Sequence, residues 1–224
     1  MIQLSTIFTL AIFQTAPTSS VDQVLNCVCY SRPDKEACFK ERREDVTESL
    51  KIISEVVSTF ETPPFVRALM PAIACGESGL RKNPTCGGRI SCNDYGTSSS
   101  WYQIKLSERK GSLRWVYKEE NGSSLDTTDL RETTRFYLNR LIWGVHNKVR
   151  RICGWKGRSL EEIWSIAAIR LGRGPILYWT DPPVGQKRKA VQRCSPKSRY
   201  VALALSWYKK CPKCWESHGD FSIK

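Results

Sequence analysis

The residues Pro63 to Leu80 read PPFVRALMPAIACGESGL and join a proline-led apolar run to a single carboxylate, Glu77. Pro64 suits the first turn of a helix, because the N–H that proline lacks would have no partner there. The apolar side chains that follow surround the helix on nearly every side, which predicts a buried helix. Gly79 and Leu80 supply the left-handed residue and the apolar contact that commonly end a helix.

Helical spacing of apolar residues continues on both sides of this stretch. Ser159 and Glu162 form a capping-box pattern ahead of an apolar run that stops at Gly172. The chain has no internal repeat and none of the long two-residue alternation that half-buried strands require. We therefore predict a mainly helical chain, with helices at 34–60, 64–79, 112–120, 126–150, 159–172 and 195–210.

Residues 81–100 are rich in Gly, Ser, Asn and Cys and are too long for a simple connection in a compact domain. Cys86 and Cys92 would hold this segment in place through disulfide bonds. We interpret it as a functional loop or small hairpin beside a cleft in the helical domain.

The first 20 residues carry no charge, contain an apolar stretch from Ile7 to Phe13 and end in small residues. This layout is typical of a secretory signal peptide, although the basic start is missing. No later segment reaches the roughly 20 apolar residues that a membrane-spanning helix needs. We expect cleavage near Ser20 and export without a membrane span. The rest divides into a cysteine-containing segment at 21–33, one domain at 34–210 and a cysteine-containing tail at 211–224.

Ten cysteines follow the expected leader, an even number that an oxidising compartment turns into disulfides. The sequence leaves their pairing open. It also leaves an alternative, because Cys27 and Cys29 together with Cys211 and Cys214 have a spacing compatible with four zinc ligands. We favour disulfides, because the export signal and the scattered positions of the other cysteines agree with them.

The net charge is +13, from 35 Lys and Arg against 22 Asp and Glu, and it favours polyanionic partners. No nucleic-acid-binding motif accompanies the basic residues. They are spread along the chain, as at Arg42, Arg43, Lys148, Arg150, Arg151, Lys187, Arg188 and Lys189. For an exported protein we expect an anionic cell envelope as the partner and no nucleic acid. The alternative is a solvated basic surface without a specific ligand.

Two carboxylates occupy contrasting environments. Glu77 closes the buried helix, where partial burial and the helix dipole both favour the protonated form of a carboxyl group. Asp94 lies in the polar loop, where a carboxylate stays ionised. One protonated and one ionised carboxyl group are the arrangement that cleaves glycosidic bonds. The pair is therefore compatible with glycoside cleavage, and the alternative is a solvated glutamate at the end of a helix.

The chain also resembles a known family at four motifs. The stretch PPFVRALMPAIACGESGL resembles the catalytic helix of lysozyme-like lytic transglycosylases and goose-type lysozymes, in which the Glu of a Glu-Ser pair is the general acid. DYGTSSSWYQI at 94–104 resembles their second motif. That motif matches at Asp94, Gly96, Gln103 and Ile104. IAAIRLGRGPILYW at 166–179 and SRYVALALSWYKK at 198–210 are similar to the third motif and to the terminal helix.

The resemblance implies an α+β lysozyme-like fold and a muramidase that cleaves the β-1,4 bond between N-acetylmuramic acid and N-acetylglucosamine in peptidoglycan. Glu77 would protonate the leaving oxygen, and Asp94 would activate a water if the two carboxyl groups lie about 6.5–9.5 Å apart. If Asp94 points away, the N-acetyl group of the substrate would attack, giving the anhydro product of a lytic transglycosylase. We expect no cofactor, no metal ion and a monomer.

Glycan binding requires aromatic faces beside hydrogen-bonding groups. The residues that we expect to contact the glycan lie in or beside the motifs: Ser78, Gly96, Trp101, Tyr102, Gln103, Ile104, Arg170, Gly174 and Tyr178. The chain departs from the family at two places. Ser100 and Trp101 stand where Gly is usual, and Ile169 and Arg170 replace a Tyr-Asn pair whose Tyr commonly helps to hold the catalytic Glu. Tyr178 and Tyr102 are the candidates to replace that Tyr.

Two other functions remain open. The residues Ile169 and Arg170 in place of Tyr-Asn suit a relative that binds glycan without cutting it. The positive charge suits an antimicrobial protein that permeabilises membranes. A nuclease is disfavoured, because the chain holds only His146 and His218 and has no acidic metal-binding cluster.

Overall fold

The computed structural model describes residues 19–80, 98–105, 112–172, 194 and 199–216. These residues form a mainly helical structure, which confirms the prediction of a mainly helical chain. The helices are α1 (Ser20–Val28), α2 (Lys35–Ser58), α3 (Val66–Ser78), α4 (Leu113–Asn121), α5 (Leu130–Gly144), α6 (Arg150–Cys153), α7 (Leu160–Gly172), α8 (Arg199–Lys210) and α9 (Lys213–Glu216). A π-helical turn, Val145–Val149, joins α5 to α6, and two short strands, β1 (Ser98–Ser99) and β2 (Ile104–Lys105), form an antiparallel pair.

Helix α3 lies in the core, packed against α1, α2, α8 and α9. Every residue from Val66 to Cys75 except Arg67 is buried, as the apolar sequence predicts. Gly79 takes the left-handed conformation at φ +66° and donates its N–H to the carbonyl of Cys75 at 2.8 Å. Leu80 is completely buried beyond it. The predicted end of the helix is therefore confirmed.

Polar side chains begin three of the predicted helices. Asp34 accepts a hydrogen bond from the N–H of Ala37 at the start of α2, and Ser112 caps α4 in the same way. Ser159 and Glu162 each bind the other's backbone N–H at 3.2 Å, so the predicted capping box is confirmed. Each cap satisfies helix N–H groups that have no partner inside the helix.

The prediction of one helix from Asp126 to Arg150 is wrong at both ends. Asp126 Oδ1 accepts from the backbone N–H and the hydroxyl of Thr128, which makes a turn. The cap of α5 is Asp129, whose Oδ1 accepts from the N–H of Glu132 at 2.9 Å. At the other end the π-helical turn carries the backbone into α6, which ends at Cys153.

A buried polar network joins α1 to the C-terminal helices. The side-chain oxygen of Gln23 accepts from the indole N–H of Trp215 at 3.0 Å, and its Nε2 donates to the carbonyl of Trp207 at 3.3 Å. The two Trp rings lie nearly parallel, with centroids 5.9 Å apart. All three residues are buried, so the amide of Gln23 is satisfied where an unpaired amide would be costly.

The predicted start of the last helix at residue 195 lies outside the described residues.

Eight cysteines of the described residues form four disulfides: Cys27–Cys75, Cys29–Cys38, Cys153–Cys194 and Cys211–Cys214. The zinc alternative is therefore wrong, because its four candidate ligands are all bonded to other sulfurs. The disulfides are compatible with the predicted export. Cys86 and Cys92 lie outside the described residues. None of the helices described here has the length and hydropathy to cross a bilayer.

Candidate functional site

Glu77 lies in the last turn of α3 and is half-buried. The helix behind it is apolar and closed to solvent, and α8 packs along that helix. The carboxylate therefore has protein on one side and solvent on the other. This is the placement that the sequence predicts for Glu77.

Tyr200, in the first turn of α8, holds Glu77 by a hydrogen bond between the phenol and the carboxylate. Arg199 Nη2 in turn donates to the hydroxyl oxygen of Tyr200 at 2.6 Å. Burial raises the pKa of Tyr200, Arg199 opposes that shift, and the bond to Glu77 adds to it. Tyr200 therefore stays protonated at neutral pH, and its hydroxyl donates a hydrogen bond to the carboxylate.

Gly76 lets Tyr200 come this close to α3. A Cβ at position 76 would lie 2.0 Å from Cε1 and 2.4 Å from Cδ1 of the Tyr200 ring, and Cβ atoms essentially never come that close to another atom. A glycine inside a helix costs about 1 kcal/mol relative to alanine. Here that cost is offset by the contact that places the phenol beside Glu77.

A second tyrosine approaches the acid from α5. Tyr137 is buried, and its pKa is raised first by burial and next by the negative charge of Glu77. Its ring stacks on Tyr102, with centroids 4.7 Å apart and an 18° angle between the planes. The hydroxyl of Tyr102 is 3.0 Å from that of Thr134, in a buried pair. Glu77 is therefore close to two tyrosines from different helices.

Arg42 fixes the backbone just beyond Glu77. Its Nη2 donates to the carbonyls of Gly79 at 3.2 Å and Leu80 at 2.7 Å, and its side chain is mostly buried. Gly79 and Leu80 follow the last helical residue, Ser78, so this cation binds the backbone where it leaves α3 and interacts favourably with the helix dipole. The sequence analysis placed Arg42 among the dispersed basic residues, whereas the structure gives it a specific contact at the end of α3.

The residues between β1 and β2 form a tight turn. Ser99 pairs with Ile104, and the turn contains Ser100 at φ +73° and Gln103 at φ +49°. The carbonyl of Ser100 accepts from both the backbone N–H and the side-chain amide of Gln103, each at 3.1 Å. The family that the sequence resembles usually has Gly near here, and the left-handed backbone of Ser100 is a conformation that favours Gly.

Five residues predicted to contact the glycan make structural contacts of their own. Trp101, Tyr102 and Ile104 are only 6%, 3% and 1% exposed, so their side chains belong to the core and do not offer open faces. Ser78 closes α3, because its hydroxyl donates to the carbonyl of Ala74 at 2.9 Å and accepts from Leu80. Gln103 is half-buried, and its side-chain amide stabilises the turn by a hydrogen bond to the carbonyl of Ser100. Contact of these five residues with a glycan stays a prediction.

Several predicted site residues cannot be placed relative to Glu77. Asp94, Gly96, Gly174 and Tyr178 lie outside the described residues. Arg170 belongs to α7 by its backbone, and its side chain also lies outside what the structure describes. The separation between Glu77 and Asp94 therefore stays a prediction.

A cavity of about 930 Å³ opens between the start of α7 and α8. Its walls combine charged residues, Glu161 and Arg199 among them, with apolar and aromatic ones such as Leu205 and Tyr208. Glu77 is not in its lining. Arg199 belongs both to the cavity wall and to the hydrogen-bonded chain that ends at Glu77, so the cavity lies next to the acid. We place the candidate site at Glu77, because the carboxylate and its phenol partner are there.

Sequence reasoning missed the partners of Glu77. Tyr200 was quoted within the terminal motif but given no role, and Gly76 was passed over although it directly precedes the acid. A glycine within a buried helix is a usable signal, because it costs stability and so indicates a close approach. Among the described residues, no cluster of three His, Cys, Asp or Glu side chains could hold a metal ion.

Comparison of the chain with models of known families, with curated proteins and with solved structures gave no match.

Proposed function

We propose that the protein is a secreted enzyme that cleaves the β-1,4 bond between N-acetylmuramic acid and N-acetylglucosamine in peptidoglycan, with Glu77 as the general acid. The observation that carries the proposal is the hydrogen bond from Tyr200 to a half-buried carboxylate at the end of a buried helix. The resemblance of the motifs around Glu77 to lysozyme-like enzymes supports the substrate class. The lysozyme-like α+β fold and its cleft are part of this proposal.

The proposed reaction begins with transfer of the Glu77 proton to the glycosidic oxygen. After the transfer, the phenol of Tyr200 stabilises the carboxylate and keeps it oriented for the next cycle. Tyr200 acts here as a positioning residue, and it takes the part that the sequence analysis gave to Tyr178 or Tyr102.

Two routes then lead from the oxocarbenium-like state to products. Asp94 activates a water on the opposite face of the sugar, which gives hydrolysis with inversion. Alternatively, the N-acetyl oxygen of the substrate attacks C1 and forms an oxazolinium. The C6 hydroxyl of the same sugar then attacks C1, releases the N-acetyl oxygen and gives its proton to the Glu77 carboxylate, which leaves the anhydro sugar. The anhydro product is one water lighter than the hydrolysis product, so its mass identifies the route.

The charge distribution supports an anionic glycan as the partner. From Arg140 to Arg158 the chain holds six Lys or Arg residues and no Asp or Glu, whereas residues 19–80 hold seven against ten. The positive charge is therefore concentrated in this segment and is not evenly dispersed along the chain. In the basic segment Lys148 lies 5.6 Å from the ring centroid of Trp143, and Arg150 lies 5.2 Å from that of Trp155. Such a surface attracts polyanions and holds them less tightly at high salt.

The decisive experiment is mass spectrometry of soluble fragments released from purified peptidoglycan. We expect wild-type protein to release disaccharide-peptide fragments and Glu77→Gln to release none. Glu61→Gln is the matched control, because Glu61 is exposed in the segment before α3. Release by Glu77→Gln at the wild-type rate would refute the proposed role of this residue, and absence of release by wild type would refute the enzyme.

A second candidate function is bacterial killing that depends only on the positive charge of the protein. The segment from Arg140 to Arg158, which holds no Asp or Glu, favours this function. Bacterial killing should then be equal for wild type and Glu77→Gln. It should fall when Arg150 and Arg151, both exposed, are replaced by Gln. The enzymatic proposal gives the opposite order, with Glu77→Gln the more damaging change.

A further inference from the structure

Cys211, which directly follows α8, forms a disulfide with Cys214 in the first turn of α9. The bonded cysteines are three residues apart in sequence, whereas the other described disulfides span 9, 41 and 48 residues. Those longer bridges connect segments that are distant in sequence. Cys27–Cys75, for example, joins α1 to α3. The Cys211–Cys214 bridge connects a turn to itself and therefore contributes least to holding the fold.

The turn is already held by other contacts. The N–H of Cys211 donates to the carbonyl of Trp207 at 3.2 Å, and the N–H of Cys214 donates to the carbonyl of Cys211 at 3.1 Å. Trp215 follows immediately, and its buried indole is bonded to Gln23. Opening the disulfide would therefore not release the turn from the core.

The two sulfurs have different surroundings. Cys211 is partly exposed, whereas Cys214 is only 5% exposed and lines a small internal cavity with Ile53 and Pro71. Lysines at 209, 210 and 213 flank the pair, and all three are exposed. Nearby cations favour a thiolate over a thiol, and so they favour thiol–disulfide exchange at this pair. An external thiol would reach Cys211 and not Cys214.

We propose that Cys211–Cys214 is a thiol–disulfide exchange site whose co-substrate is an external thiol, with Cys211 as the sulfur that is attacked. The thiolate of the external thiol forms a bond to Sγ of Cys211. The Cys211–Cys214 bond breaks, and its electron pair goes to Sγ of Cys214, which takes up a proton.

A second external thiolate completes the exchange by attacking the external sulfur of the mixed disulfide. Cys211 then leaves as a thiolate and is protonated. The two external thiols end as one disulfide and have lost two electrons, which the cysteine pair has gained. This activity is independent of the chemistry proposed at Glu77.

The test uses the oxidised, folded chain and reduced glutathione as the probe. The protein is incubated with increasing glutathione, quenched with iodoacetamide and digested, and the alkylated cysteines are quantified by mass spectrometry. We expect Cys211 and Cys214 to be labelled at a glutathione concentration about tenfold lower than the other cysteines need. Far-UV circular dichroism should not change at that point. Labelling of Cys27 with Cys75, of Cys29 with Cys38, or of Cys153 with Cys194 at the same or lower concentration would overturn the proposal.

Two single variants test which sulfur is attacked. Cys214→Ser should accumulate a mixed disulfide between Cys211 and glutathione when it is treated with oxidised glutathione. Cys211→Ser is the matched control, because it leaves only the buried sulfur of Cys214, and we expect its adduct to form about tenfold more slowly. Equal rates for the two variants would show that burial does not direct the exchange and would overturn the assignment of Cys211.

Discussion

The two ends of α8 are built differently, although one helix carries both. At the N-terminal end Tyr200 packs on Gly76 and binds the half-buried carboxylate of Glu77. At the C-terminal end Trp207 stacks on Trp215, and the buried amide of Gln23 bonds to both residues. The first end holds a titratable group beside solvent, and the second holds a neutral, closed network. Changes to the hydrogen-bonding groups at the first end should therefore affect activity, and changes to those at the second should affect stability.

The largest effect is expected at Glu77. Glu77→Gln removes the proton donor without changing the size of the side chain, so turnover of peptidoglycan should fall by about 10²–10⁴-fold. The free energy of unfolding, measured in urea, should stay within about 0.5 kcal/mol of wild type. A loss of stability as large as the loss of activity would abolish the distinction between the two ends of α8.

Gly76→Ala comes next, because the new methyl group would overlap the ring of Tyr200. We expect a loss of about 3 kcal/mol in the free energy of unfolding. The double variant Gly76→Ala with Tyr200→Ala tests the cause, since the methyl group then has space. The two changes should be strongly non-additive. Additive losses would mean that the ring is not what excludes a side chain at position 76.

The closed network at the other end of α8 is tested with Gln23→Leu. The change leaves the indole N–H of Trp215 without its partner in the core, and should lower the free energy of unfolding by about 2 kcal/mol. Peptidoglycan turnover at low temperature should not change. Asn26→Leu, at an exposed position on the same helix, is the matched control for the gain in apolar character. A drop in turnover without unfolding would contradict the assignment of this end to stability.

The smallest of the four effects is expected for Tyr200→Phe, which keeps the ring on Gly76 and removes only the hydroxyl. We expect turnover to fall about tenfold, because the carboxylate loses the hydrogen bond that orients it. Burial raises the pKa of Tyr200 above its ordinary value of 10, so the phenol stays protonated at every pH below that value. The ratio of wild-type to variant activity should therefore be constant between pH 5 and about pH 9.

Tyr208→Phe is the control for this change, since Tyr208 lies two turns further along α8 in the wall of the cavity. It loses the same hydroxyl without affecting Glu77, and its turnover should match wild type. If Tyr208→Phe lowered turnover as much as Tyr200→Phe, the loss would come from a general change in α8 and not from the missing hydrogen bond to Glu77.

Local patterns predicted the parts of the fold that depend on nearby residues. The buried character of α3, its end at Gly79 and the capping box at Ser159 all follow from side chains within four residues of the feature. The start of α5 did not follow, because Asp126 and Asp129 are both competent caps and only the hydrogen bonds to Thr128 decide between them. The π-helical turn after α5 was not predicted, because the sequence contains no pattern that indicates such a turn.

The candidate site was predictable only in part, for a similar reason. Glu77 is identified by its position at the end of an apolar run, which is a local property. Tyr200 and Arg42 reach the end of α3 from segments that are distant in sequence, and nothing in their own neighbourhoods distinguishes them from surface residues. Trp101 was expected to contact the glycan because it lies in a matched motif, and the motif does not show that its side chain is buried in the core.

The bridge between Cys27 and Cys75 also bears on survival among proteases. It encloses the exposed residues around Glu61, where the chain between α2 and α3 is open to cleavage. A single cut there would leave α1 covalently attached to the helix that carries Glu77, and both pieces would remain in the shared core. A nicked molecule should therefore keep its shape and separate into two fragments only after reduction. In an environment rich in proteases, the protein could be cut at this point without losing its acid.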